Sequence, residues 1–155
     1  MMQKKIFSFL LFLFLSSCGY EAIYSKKNSI DYNFSIDELS FVGDRGVNLK
    51  IKERLSNYII NKKDKNFGLK ISSTSTKIIA AKNTSGDATS FKNTIATKIE
   101  ISINGNFKNS FVIVESFNYN NNSNRFGLKR YEKEIKNNLA ETITEKLILR
   151  LSNIQ

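Results

Sequence analysis

Between Thr94 and Ile103 the chain alternates without interruption. Ile95, Thr97, Ile99, Ile101 and Ile103 fall on one side; Thr94, Ala96, Lys98, Glu100 and Ser102 fall on the other. A period of two is the signature of a strand with one buried face, because successive side chains of a strand point to opposite faces. Asn104-Gly105-Asn106 follows at once. Asn and Gly tolerate positive φ, as a tight hairpin turn requires, so the chain is expected to reverse there. The return strand is expected over Phe111 to Tyr119, with Phe111, Ile113, Glu115 and Phe117 opposite Val112, Val114 and Ser116. A hairpin with one apolar face is marginal alone and needs more strands and a cover.

Both are legible nearby. Leu39 and Phe41 alternate with polar neighbours, which predicts a strand over Ile36–Val42, ended by Gly43-Asp44-Arg45-Gly46. Val47, Ile51, Leu55 and Ile59 recur every four residues with Tyr58 beside them, which predicts an amphipathic helix of about four turns. From Phe67, Leu69, Ile71, Ser73 and Ser75 alternate again, predicting a strand to Ile79. Asn83 to Asp87 is a turn. After an Asn-rich loop at Asn118 to Asn124, Tyr131, Ile135, Leu139, Ile143, Leu147 and Leu151 form the stripe of a long helix. Glu132, Glu134, Glu141 and Glu145 are expected to be ordinary surface charge. The order β-α-β-β-β-α predicts an α+β fold: a two-layer, four-stranded, mostly antiparallel sheet with two helices on one face and a polar opposite face. At 155 residues there is room for one core.

The composition removes whole classes of chemistry. With no His there is no Ser-His-Asp or Cys-His nucleophile and no imidazole metal site; no metal is expected. With one Cys there is no intrachain disulfide or zinc ribbon. Asp37 and Glu38 are neighbours on a strand and point apart, and Glu132 and Glu134 are misaligned on a helix, so neither pair suits glycoside hydrolysis. No phosphate-binding loop is present. No catalytic residue is assigned. The net charge of +10 favours acidic partners, although 19 Lys against 5 Arg, with abundant Asn and Ile, is also what an AT-rich genome produces.

The first eighteen residues read as an export signal. Lys4 and Lys5 precede an apolar run from Ile6 to Leu15, broken only by Ser8. The run is shorter than the ~20 residues a permanent transmembrane helix needs, and it has the length of a signal-peptide core. Leu15-Ser16-Ser17-Cys18 closes it and resembles the bacterial lipobox. That resemblance implies cleavage before Cys18, a diacylglycerol on its sulfur and an acyl chain on its new amine, with no other cofactor. Several acyl chains on one residue make a stable anchor. Gly19 stands where Asp resembles an inner-membrane retention mark in enteric bacteria, which points to the outer membrane. Residues 1–17 are thus the leader, 18–33 the lipidated N-terminus and tether, and 34–155 the folded domain. Export argues against nucleic acid as a partner, and no basic helix with stacking aromatics accompanies the charge.

Three further motifs stand in order. Cys18-Gly19-Tyr20-Glu21-Ala22-Ile23-Tyr24 begins the mature chain. Asp44-Arg45-Gly46 opens the first helix. Phe117-Asn118-Tyr119-Asn120, a polar loop, Phe126 and a long helix through Asn138-Leu139-Ala140-Glu141 end it. Together they resemble the LPS-assembly lipoprotein family, LptE, over the whole mature chain, with Ala22 where Pro is frequent. The resemblance implies a non-enzymatic lipoprotein on the periplasmic side of the outer membrane. Such a protein plugs the LptD β-barrel, assists its assembly and contacts lipopolysaccharide. A polar, compact body suits a wet barrel lumen. Lysines bind phosphate as point charges, so Lys77, Lys98 and Lys108, expected on the outer sheet face or at the hairpin tips, are the candidates for lipopolysaccharide. The competing reading is another tethered accessory lipoprotein, a secretion pilot or a barrel-assembly component.

Overall fold

The computed structural model describes residues 33–154. The leader, Cys18 and all but the last residue of the tether lie outside them. Six elements follow in the expected order: β1 (Ser35–Gly43), α1 (Arg45–Ile60), β2 (Asn66–Lys82), β3 (Ala88–Ile103), β4 (Asn106–Asn120) and α2 (Arg125–Ser152). The sheet runs β1-β2-β3-β4, with β1 parallel to β2 and the other pairs antiparallel. The parallel pair needs a crossover, which α1 provides. The fold is α+β with four strands and two helices, as the alternation and helix stripes predicted.

The inner row of the sheet supplies Phe67, Leu69, Ile71, Ile95, Ile99, Ile101 and Ile113; α1 supplies Val47, Ile51 and Leu55; α2 supplies Ile135, Leu139, Ile143, Leu147 and Leu151. Phe34, just ahead of β1, is buried and stacks on Tyr58 with centroids 4.7 Å apart.

Several boundaries and faces differ from expectation, each for a local reason. Ile59 is 38% exposed and Tyr58 packs instead. A strict step of four overshoots a 3.6-residue turn, so Ile59 lies about 120° from Val47, whereas Tyr58 lies about 20° from it. The return strand begins at Asn106, not Phe111, because Asn104 (φ 52°) and Gly105 (φ 75°) reverse the chain in two residues. β2 and β3 continue to Lys82 and back from Ala88, longer than the apolar pattern. Beyond Ser75 the pairing persists with little core beneath it, so hydrophobicity did not mark it. The turn between them is held by the Asn83 side chain, which accepts from Ser85 and Asp87 N–H.

Three of the four α2 carboxylates, Glu132, Glu141 and Glu145, are not idle surface charge. Glu141 reaches Lys50 and Arg54 on α1, at 3.2 and 3.4 Å, and Glu145 reaches Arg54. Glu132 joins the sheet, as described below. Asp44 caps α1, accepting from Val47 N–H at 3.0 Å, and its other oxygen takes Lys136 of α2 at 2.9 Å. Burial alone would raise the Asp44 carboxyl. The Lys136 bond and charge and the cap N–H groups outweigh it and hold it below the usual range. Asn48 donates to Val42 C=O and accepts from the Ser73 hydroxyl at 2.6 Å, stitching α1 to β1 and β2.

Candidate functional site

β1 pairs with β2 only as far as Ser73. From there β2, β3 and β4 run on as a three-stranded ribbon, and the first turns of α2 lie beside its end. Alternation carries Leu69, Ile71, Ser73 and Ser75 onward to Lys77 on the same row, paired with Asn93. Lys77 therefore faces the helix side, not the outer face expected of it. That placement was readable by extending the parity of the strand. Its Nζ bonds Glu132 of α2 at 2.6 Å and sits 4.0 Å from the centroid of Phe91. The Tyr119 hydroxyl donates to the same Glu132 oxygen at 2.9 Å. Burial pushes the Tyr119 hydroxyl far up, helped by the neighbouring carboxylate. Burial also opposes the charge on Glu132, but the bonds from Lys77 and Tyr119 and the charges of Lys77 and Lys129 hold its carboxyl down. Lys77 is thus a structural strut, its charge already matched.

Lys98 does lie on the outer face. Its Nζ bonds Glu100 at 2.6 Å, and that bond, with Lys70 and Lys98 nearby, lowers the Glu100 carboxyl. Lys108 lies at the hairpin, exposed, where β4 gains one residue over β3. It makes no ion pair among the described residues. The three lysines do not converge on one place.

What converges at the ribbon end is different. An open cleft of about 400 Å³ lies between the end of β4, the Asn-rich loop and α2, lined by Phe117, Asn122, Leu128 and Tyr131 among others. Phe126 beside it is 88% exposed, and Ile78, Ile79, Phe117 and Tyr131 are each about half exposed. Arg125, Lys129, Arg130 and Lys133 occupy the first turns of α2, with Lys82 and Lys92 on the ribbon, and none makes an ion pair among the described residues. The first turn of α2 holds no acid. Cations there oppose the helix dipole, which favours negative charge at an N-terminus. The end is both apolar and cationic, the chemistry that suits an anionic amphiphile. Sequence periodicity missed it because Phe126 and the cations lie off both apolar stripes. Among the described residues no acidic, Cys or His group is arranged to hold a metal, and no helix is long and apolar enough to cross a membrane.

Rare lipoprotein B from Shewanella oneidensis superposes with a TM-score of 0.55 at 13% identity, over 75% of this chain and 97% of that one. The fold is one that bacterial lipoproteins share. A minor lipoprotein from Acinetobacter baumannii gives 0.57 at 10% identity, over 77% and 92% of the two chains. Lipoprotein B from Nitrosomonas europaea gives 0.55 at 9% identity, over 77% and 83%. No protein-family model matches the sequence, and no curated protein matches it.

Proposed function

We propose that this chain is an outer-membrane lipoprotein of the LPS-assembly type. It is anchored through Cys18 on the periplasmic side, seated in the LptD β-barrel, and in contact with lipopolysaccharide. The observation that carries the reading is the fold shared with rare lipoprotein B across nearly all of that protein; rare lipoprotein B is also known as LptE. The lipobox-like Leu15-Ser16-Ser17-Cys18 and the order of the three motifs support it. Lipopolysaccharide presents phosphates and acyl chains together, and the ribbon end presents, around Phe126 and Tyr131, cations that make no ion pair among the described residues. That end replaces Lys77 and Lys98, whose ammonium groups are already bonded to carboxylates, as the preferred contact; Lys108 stays a candidate. In this reading the protein binds and positions and performs no reaction.

The test is a detergent pull-down of the C-terminally tagged full chain from its own membranes, with labelled palmitate supplied. The expected result is label at Cys18, lost in Cys18→Ala, and one-to-one recovery of a large β-barrel protein. Recovery of the labelled chain with a secretion complex, or without a barrel, refutes the plug reading in favour of another tethered lipoprotein.

A further inference from the structure

The sheet has two edges, and they are built differently. β1 is nine residues long, carries a register shift at Asp37, and presents Asp37 and Glu38 to solvent. Shortness, bulges and charge are the usual guards against pairing with another strand. β4 is fifteen residues long and has β3 as its sole neighbour among the described residues. Its one register shift lies near the hairpin, by Lys108. From Asn109 to Asn120 it runs straight, without Pro, Lys or Arg. Its one charge there, Glu115, is bonded to Lys146 of α2.

The direction of the free backbone groups follows from the register. Asn121 N–H donates to Thr89 C=O at 2.8 Å, and Tyr119 pairs with Phe91. From Asn109 to Tyr119, the odd-numbered residues of β4 therefore turn their N–H and C=O toward β3. Ser110, Val112, Val114, Ser116, Asn118 and Asn120 turn theirs outward, a ready ladder for a further strand. Val112 and Val114, 52% and 56% exposed on the outer face, flank that ladder with apolar surface.

The charges decide the occupant. Lys92 on the outer face of the adjacent strand, Lys108 at the hairpin and Arg150 on the helix side, 4.6 Å from the Phe111 centroid, make no ion pair among the described residues, whereas Lys98 and Lys146 are matched by Glu100 and Glu115 and leave the seam net positive. The acids nearby, Glu100 and Glu115, are each already bonded to a lysine. A second copy of this chain would bring the same cations to the seam. We propose that the free edge of β4 accepts an extended segment of another protein as a fifth strand, one that alternates β-branched with acidic residues. This surface meets the ribbon end at Lys92, Asn118 and Asn120, and its occupant does not depend on the lipoprotein reading.

The experiment uses the full chain in detergent and two nine-residue probes. One is valine alternating with glutamate and threonine; the other has lysine for each glutamate. Binding is read by fluorescence anisotropy and by amide hydrogen exchange. The acidic probe is expected to slow exchange at Val112, Val114 and Ser116. The lysine probe is expected to bind about tenfold or more weakly, since like charges are set against each other. Val114→Pro is expected to abolish binding with the circular dichroism spectrum unchanged, because an outward N–H has no strand partner to lose. Ser116→Pro repeats the test at a second outward position. No slowing at these amides, equal binding of the two probes, or binding that survives both folded proline variants overturns the proposal. So does a dimer by sedimentation that slows the same amides without any probe, since a second copy would then be the occupant.

Discussion

Gly43→Ala isolates what a positive φ costs when something stands in the way. Gly43 ends β1 with φ +94°. A Cβ there would meet the Ser73 carbonyl carbon at 3.0 Å and its oxygen closer still. That same oxygen accepts Asp44 N–H at 2.9 Å. The methyl must push β1 from β2 or move Asp44, which caps α1 and holds Lys136. Three losses follow. Left-handed backbone costs an alanine roughly 1–2 kcal/mol. A net hydrogen bond is worth about 1 kcal/mol. A weakened cap costs about 1 kcal/mol more. The total is about 3–4 kcal/mol. Gly86 provides the control: its φ is +89°, and nothing lies within 4 Å of its added Cβ. Gly86→Ala should therefore cost only the backbone part, roughly 1–2 kcal/mol. Urea unfolding of both variants measures the difference. If the two fall within about 1 kcal/mol of each other, the close approach at Ser73 carries no energy and the reasoning fails.

Three other outcomes are expected. Stability should fall with acid through Glu132: its carboxyl is held below the ordinary value, so its contribution is present above the unfolded carboxylate range and is lost as pH drops through the lower folded value. The urea midpoint of Glu132→Gln should accordingly be lower near pH 6 and flatter below pH 5 than that of the parent protein, and parallel curves would refute this. Thr97→Val should raise the unfolding free energy by about 1 kcal/mol, because the buried Thr97 hydroxyl has no hydrogen-bond partner among the described residues and a methyl of the same shape removes an unmet group; a loss of stability would mean the hydroxyl is satisfied. Ile99→Ala, at a fully buried site in the middle of the sheet, should cost about 2–5 kcal/mol by the same unfolding assay.

The core was legible because burial imposes a period on the chain. Ile95 to Ile101 and Ile135 to Leu151 announce a strand and a helix wherever they are placed, and Asn104-Gly105 announces the reversal between β3 and β4. The candidate site was less legible. Lys98 was placed correctly by parity, whereas Lys77 was assigned to the wrong face, although the row through Ser73 and Ser75 leads directly to it. Phe126 and the cations of the first α2 turns obey no period, since nothing in the core constrains an exposed residue.

Local chemistry in the chain settled which segments are strands, which are helices, and which way each buries its apolar side. It did so because hydrophobic spacing and turn residues act over a few neighbours. Only the folded structure decided that β1 lies parallel beside β2 and that β4, among the described residues, is left as an edge. It also decided that Glu132 answers a lysine 55 residues away. Those outcomes depend on which surfaces meet after the chain has closed on itself, and no local pattern records them.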